Sequence, residues 1–166
     1  MADATLPVLT SQPRFVDCGG RMVSVWPLTI SDIGAWDQWA RQEFLRATLE
    51  LVDKIKSRQD RYEHRTVSVD QATQISLGSP KGSGLALSIP GMLQVCWLAM
   101  RHGEMEKLTA AEAWQAIAGT PVTPASFKNL KAVFTEAMIA SGLAEEADRD
   151  SDPTTLVTRM SMLLMG

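Results

Sequence analysis

At 166 residues, 45% hydrophobic and 21% charged, the chain has the size and composition of one globular domain and not of a disordered one. Its 16 Lys and Arg against 19 Asp and Glu leave a formal charge of −3, which excludes the broad basic surface of a general nucleic-acid backbone binder. Cys18 and Cys96 are too few for a disulfide framework and too isolated for a metal knuckle, so buried free thiols in a reducing compartment are expected.

The first residues, Met1 to Pro7, carry neither a basic run nor an apolar one, so no signal peptide is expected, and residues 1–13 read as a flexible arm. From Arg14 to Trp26 two β-prone runs flank Gly19-Gly20, a pair able to take the positive φ of a two-residue hairpin. Pro27 stops the second strand, and Thr29 or Ser31 can cap a helix beginning there. Ile33, Trp36, Ala40, Phe44, Ala47, Leu51 and Ile55 then recur in steps of three and four, predicting a helix over 30–57.

Between Ser57 and Ser83 no single period holds. Val67 and Val69 alternate with polar residues, and Asp70 to Ile75 reads as one or two helical turns. Gly78-Ser79-Pro80-Lys81-Gly82-Ser83-Gly84 reads as a flexible connector; it lacks the Gly-Lys-Ser/Thr ending of a phosphate loop. Arg58, Arg61, His64 and Arg65 form a basic cluster best explained as a solvated helix end.

Three helices are predicted next, near 90–102, 110–118 and 124–141. Pro90 suits a first helical position, and Met92 to Met100 is almost wholly apolar, the mark of a buried central helix. That stretch is too short to span a bilayer. Thr109-Ala110-Ala111-Glu112 is a capping box, opening a helix that buries Ala113, Trp114 and Ile117. The third helix aligns Phe127, Leu130, Phe134, Ala137 and Met138, with Gly142 as its natural stop.

Glu145 to Asp152 reads as an acidic, solvated linker, and Asp152-Pro153 as the start of a short last helix. Leu156, Val157, Met160, Leu163 and Leu164 lie on one side of that helix and are the candidate protein-binding residues. The domain itself or another chain could cover them, and the pattern leaves both open. The expected organisation is an arm (1–13), a helical domain with one β-hairpin (14–142), and a linker with a C-terminal helix (143–166). The fold class is mainly α with one N-terminal β-hairpin.

Catalytic chemistry finds no support in spacing. His64 and His102 stand apart from any ligand or triad pattern, and no nucleophile-elbow sequence occurs. Cys96 lies among apolar residues that would not lower its pKa. Glu104/Glu106 and Glu145/Glu146 fall in hydrated segments. Trp26, Trp36, Trp39, Trp97 and Trp114 sit at packing positions. A non-enzymatic protein without cofactor or metal, soluble in the cytoplasm, is expected.

The strand ending Val25-Trp26-Pro27-Leu28-Thr29-Ile30-Ser31-Asp32, the long helix, the apolar helix with Trp97-Leu98-Ala99, and Leu108-Thr109-Ala110-Ala111-Glu112 together resemble the tail assembly chaperones of long-tailed bacteriophages. The resemblance runs from Phe15 to Gly142 and is poorest between Ser57 and Leu87. It implies a small helical chaperone in the infected host cytoplasm that coats the tape measure protein and aids polymerisation of tail tube subunits. The tape measure protein and the tail tube subunit are the partners it implies. The charge balance speaks against nucleic acid and the short apolar stretch against a membrane, and self-association is left open. The alternatives are a virion structural protein of the tail or head–tail connector and a small regulatory protein that binds a host factor.

Overall fold

An antiparallel hairpin, β1 (Arg14–Asp17) and β2 (Met22–Val25), leads the computed structural model, which describes residues 12–165. The arm expected over 1–13 therefore lies almost wholly outside the described residues. Pairing runs from Arg14 with Val25 to Asp17 with Met22. Cys18 N–H donates to the Arg21 carbonyl at 2.8 Å, and Gly19 and Gly20 take φ of 69° and 86°. Two positive φ values in a row are why both turn residues are glycine. Strand alternation buries Val16, Val23 and Val25 and leaves Phe15, Asp17 and Met22 outside.

α1 (Ile30–Val52) opens on a capping box in which Asp32 Oδ2 accepts the Thr29 N–H at 2.8 Å and Thr29 Oγ1 accepts the Asp32 N–H at 3.2 Å. It ends at Val52, short of residue 57, because Ser57 caps a second long helix, α2 (Arg58–Thr73), accepting the Asp60 N–H at 3.3 Å. α2 replaces the alternating and short-turn reading of 58–75. Packing along α1 selects helix there over the weak β preference of Val67 and Val69.

The expected flexible connector is also folded. α3 (Pro80–Ala86) and α4 (Ile89–Met100) begin with the same device. Ser79 Oγ donates to the Ser76 carbonyl at 2.8 Å and accepts the Gly82 N–H at 3.1 Å. Ser88 Oγ donates to the Leu85 carbonyl at 2.6 Å and accepts the Gly91 N–H at 3.1 Å. A Cβ on Gly82 would sit 1.7 Å from Ser76 O, and one on Gly91 1.9 Å from Leu85 O. These glycines permit close backbone approach; they do not loosen the chain. Asp37 and Arg41 on α1 fix the preceding loop, accepting from Leu77 N–H at 2.7 Å and donating to the Ile75 carbonyl at 2.9 Å.

α5 (Ala110–Ala118) and α6 (Pro124–Ala140) come next, as periodicity predicts, α5 on its Thr109/Glu112 capping box. Leu130, Phe134, Ala137 and Met138 are buried, while Phe127 at the entrance of α6 is exposed. α7 (Pro153–Met165) ends the described chain. α4 occupies the centre, against α1, α3, α5, α6 and β2, with Val95, Cys96, Leu98 and Ala99 in the core. Trp97 lies at the rim of this core, half-buried, donating its indole N–H to the Leu108 carbonyl at 2.6 Å under the Arg101 guanidinium. Among the described residues the chain is mainly α with one N-terminal hairpin, and no single helix is long and apolar enough to cross a membrane.

Candidate protein-interaction site

α7 divides the five candidate residues. Leu156, Val157 and Met160 are fully buried against the body of the protein, where α7 meets α3 and α6. Leu163 is 63% exposed and its neighbour Met162 66%. The side chain of Leu164 lies outside the described residues. The structure thus brings three of the five together as core and leaves Leu163 at the surface.

The segment before α7 is not a solvated linker throughout. Asp148 is buried; its carboxylate accepts the Glu145 N–H at 3.0 Å and pairs with Arg159 on α7. The Glu145 amide and the Arg159 guanidinium hold this carboxyl below the usual carboxylate range. Arg149 binds Glu136 at 2.6 Å and Glu146 at 2.7 Å, and Arg14 reaches Glu146 at 2.5 Å and Glu136 at 3.3 Å. Two arginines and two glutamates thereby tie 146–149 to α6 and to β1.

A further set of exposed apolar side chains belongs to the α1–α2 hairpin. The first half of α1 buries Trp36 and Ala40; beyond Ala40 only Val52 is buried, and α2 buries only Ser68 and Ala72. Leu51 on α1 and Tyr62, Val67 and Val69 on α2 are more than half exposed. Arg65 is held by Asp53 across the hairpin at 2.5 Å, and Arg46 bridges Glu43 and Glu50 along α1. The basic cluster of α2 is thus partly engaged within the hairpin. Sequence reasoning missed α2; the signal that could have found it is Ser57-x-x-Asp60, an N-cap pattern ahead of a helix-compatible run.

One polar cluster brings a hydroxyl, an imidazole and a carboxylate together. Asp32, buried at the start of α1, accepts from Thr29 Oγ1 at 2.7 Å and lies 2.9 Å from His102 Nε2, both at Oδ2; Arg101 donates to Oδ1 at 3.2 Å. A nucleophile relay requires the imidazole between hydroxyl and carboxylate. Here the carboxylate stands between the other two, which makes the cluster a clamp joining the start of α1 to the end of α4. Burial alone would raise the Asp32 carboxyl, but the Thr29 N–H and hydroxyl, with His102 and Arg101, hold it below its ordinary value. Cys18 and Cys96 are buried and unpaired, and burial pushes both thiols up, away from the reactive thiolate. Among the described residues no three His, Cys, Asp or Glu side chains gather as a metal-ligand set.

No protein-family model, no curated protein and no solved structure matches this chain.

Proposed function

We propose that the chain is a non-catalytic protein-binding domain acting as a phage tail assembly chaperone, with the long helical tape measure protein as client and the tail tube subunit as the partner it helps to assemble. The observation that carries the binding role is the α1–α2 hairpin, which holds Leu51, Tyr62, Val67 and Val69 outside the core. Tyr62 and Val69, seven residues apart, share one side of α2 while Val67 lies on another, and an exposed apolar pair on one helix face favours helix–helix docking. The choice of client rests on the resemblance of the hairpin-to-helix entry and the Thr109 capping region to tail chaperones. Two or three side chains covered on binding, at about 1.5–3 kcal/mol each before association costs, give a weak, reversible complex. A chaperone that must release its client needs that reversibility.

The test is recovery of tape measure fragments by the full-length protein and by the pair Tyr62→Glu/Val69→Glu. The proposal expects recovery with the first and loss of at least tenfold with the second. Leu163→Glu measures whether the exposed end of α7 contributes. No recovery by the full-length protein sinks the chaperone reading; equal recovery by the hairpin variant moves the contact elsewhere.

A further inference from the structure

We infer that the outer edge of β1 and the facing side of α6 form a second binding site, which takes an extended, acidic peptide segment from another protein as a third strand. The ladder sets the argument. Cys18 and Arg21 form a hydrogen-bonded pair at the turn, so with the observed register Val16–Val23 and Arg14–Val25 are the next bonded pairs. The N–H and C=O groups of Phe15 and Asp17 therefore point away from β2, and among the described residues none of the four has a hydrogen-bond partner. An unpaired strand edge is a template for another strand.

A groove of about 470 Å³ runs along this edge, in the size range of peptide and ligand sites. Phe15, Val16 and Asp17 form one wall, and Lys128, Lys131 and Thr135, successive turns of α6, form the other; no residue of β2 lines it. The Thr135 hydroxyl is buried without a hydrogen-bond partner. Arg149 and Glu136, engaged with Arg14 and Glu146, close one end with balanced charge. Lys128 and Lys131 have no ion-pair partner among the described residues, so the helical wall is positive. Asp17 on the strand wall and Asp150 next to Arg149 add two carboxylates to the lining, which confines the positive charge to the α6 side.

The alternation of a β-strand converts these walls into a sequence preference. Residues of an added strand point alternately toward α6 and toward the outer face. Side chains facing α6 meet the two lysines, which favours carboxylates. Those on the outer face lie beside the exposed ring of Phe15 and the Asp17 carboxylate on the same side of β1, which favours apolar side chains and disfavours acidic ones there. The occupant is thus an extended segment with alternating acidic and β-branched residues.

The probe is a capped heptapeptide alternating Val and Glu, titrated into the ¹⁵N-labelled full-length protein by NMR. Saturable shifts at the Phe15 and Asp17 amides are expected. Methylating alternate peptide nitrogens, replacing Glu with Lys, or combining Lys128→Gln with Lys131→Gln should each weaken binding at least tenfold, with the circular dichroism of the variant unchanged. Tyr62→Glu/Val69→Glu should bind the peptide normally, which separates this site from the tape measure contact. Absence of shifts at the two amides, or equal affinity for all three peptides, overturns the inference. So does prior protection of these amides from hydrogen exchange in the free protein. Protection that depends on concentration would identify a second copy as the occupant, and protection that does not would identify the chain's own N-terminal residues.

Discussion

Two glycines and one carboxylate bear more on this fold than their size suggests. At Gly82 and Gly91 a methyl group would enter the space of a carbonyl oxygen six residues earlier, and backbone cannot rotate aside as a side chain can. Gly91→Ala is expected to cost about 1–3 kcal/mol in urea unfolding, as overpacking does, although alanine is the better helix former. A neutral result would show that the α3–α4 connection yields. Asp32 is the residue on which the α1 capping box and the α4 end converge. Removing it in Asp32→Ala leaves the Thr29 N–H and the Arg101 and His102 donors short of an acceptor, an expected loss of about 1–3 kcal/mol at pH 7. Its folded carboxyl titrates below the ordinary 3.8, so the stabilisation is present above that value and is lost as pH falls through the folded pKa. The stability gap between native and variant protein should narrow between pH 7 and about pH 3; a gap constant across that range would remove Asp32 from the acid response.

Elements differ in how much of themselves they commit to the core. α7 buries Leu156, Val157 and Met160 while exposing Met162 and Leu163. Met160→Ala should therefore destabilise by about 2–5 kcal/mol, and Leu163→Ala by no more than about 0.5 kcal/mol, both read from denaturant midpoints. Comparable losses at the two positions would mean that α7 is covered on both sides. A chain cut before α7 would lose core side chains together with any binding residues, so point substitutions at the exposed positions are the cleaner probe.

At the scale of the whole molecule, burial is lopsided. α4, α6, β2 and the first half of α1 enclose most of the large buried side chains, whereas α2 and the second half of α1 bury few. Opening free energies rise with burial. Amides of α2 are expected to exchange through local opening, well ahead of those in α4 and α6, whose exchange should track global unfolding. Mass-spectrometric hydrogen exchange checks this directly, and uniform protection across α2 and α4 would contradict it. Added client should slow exchange in α2 selectively if the hairpin is the docking surface.

Much of this architecture is written locally. The Gly19-Gly20 turn, the Thr109/Glu112 box, the stop at Gly142 and the apolar run of α4 each arise from the conformational limits of a few neighbouring residues, so the sequence alone determined the hairpin and most helix positions. Residues 58–86 were not legible in the same way. Val67 and Val69 are weak strand formers that packing along α1 overrides, and the glycines of 78–84 have one composition for two opposite uses, looseness and close approach. The candidate residues of α7 pose the same problem at longer range. A one-sided apolar stripe requires a cover, but its covering partner is a nonlocal contact that no local period encodes. Only the tertiary structure could set Leu156, Val157 and Met160 against the protein's own core, leave Leu163 outside, and line up the unpaired edge of β1 with the lysines of α6, residues more than a hundred positions apart along the chain.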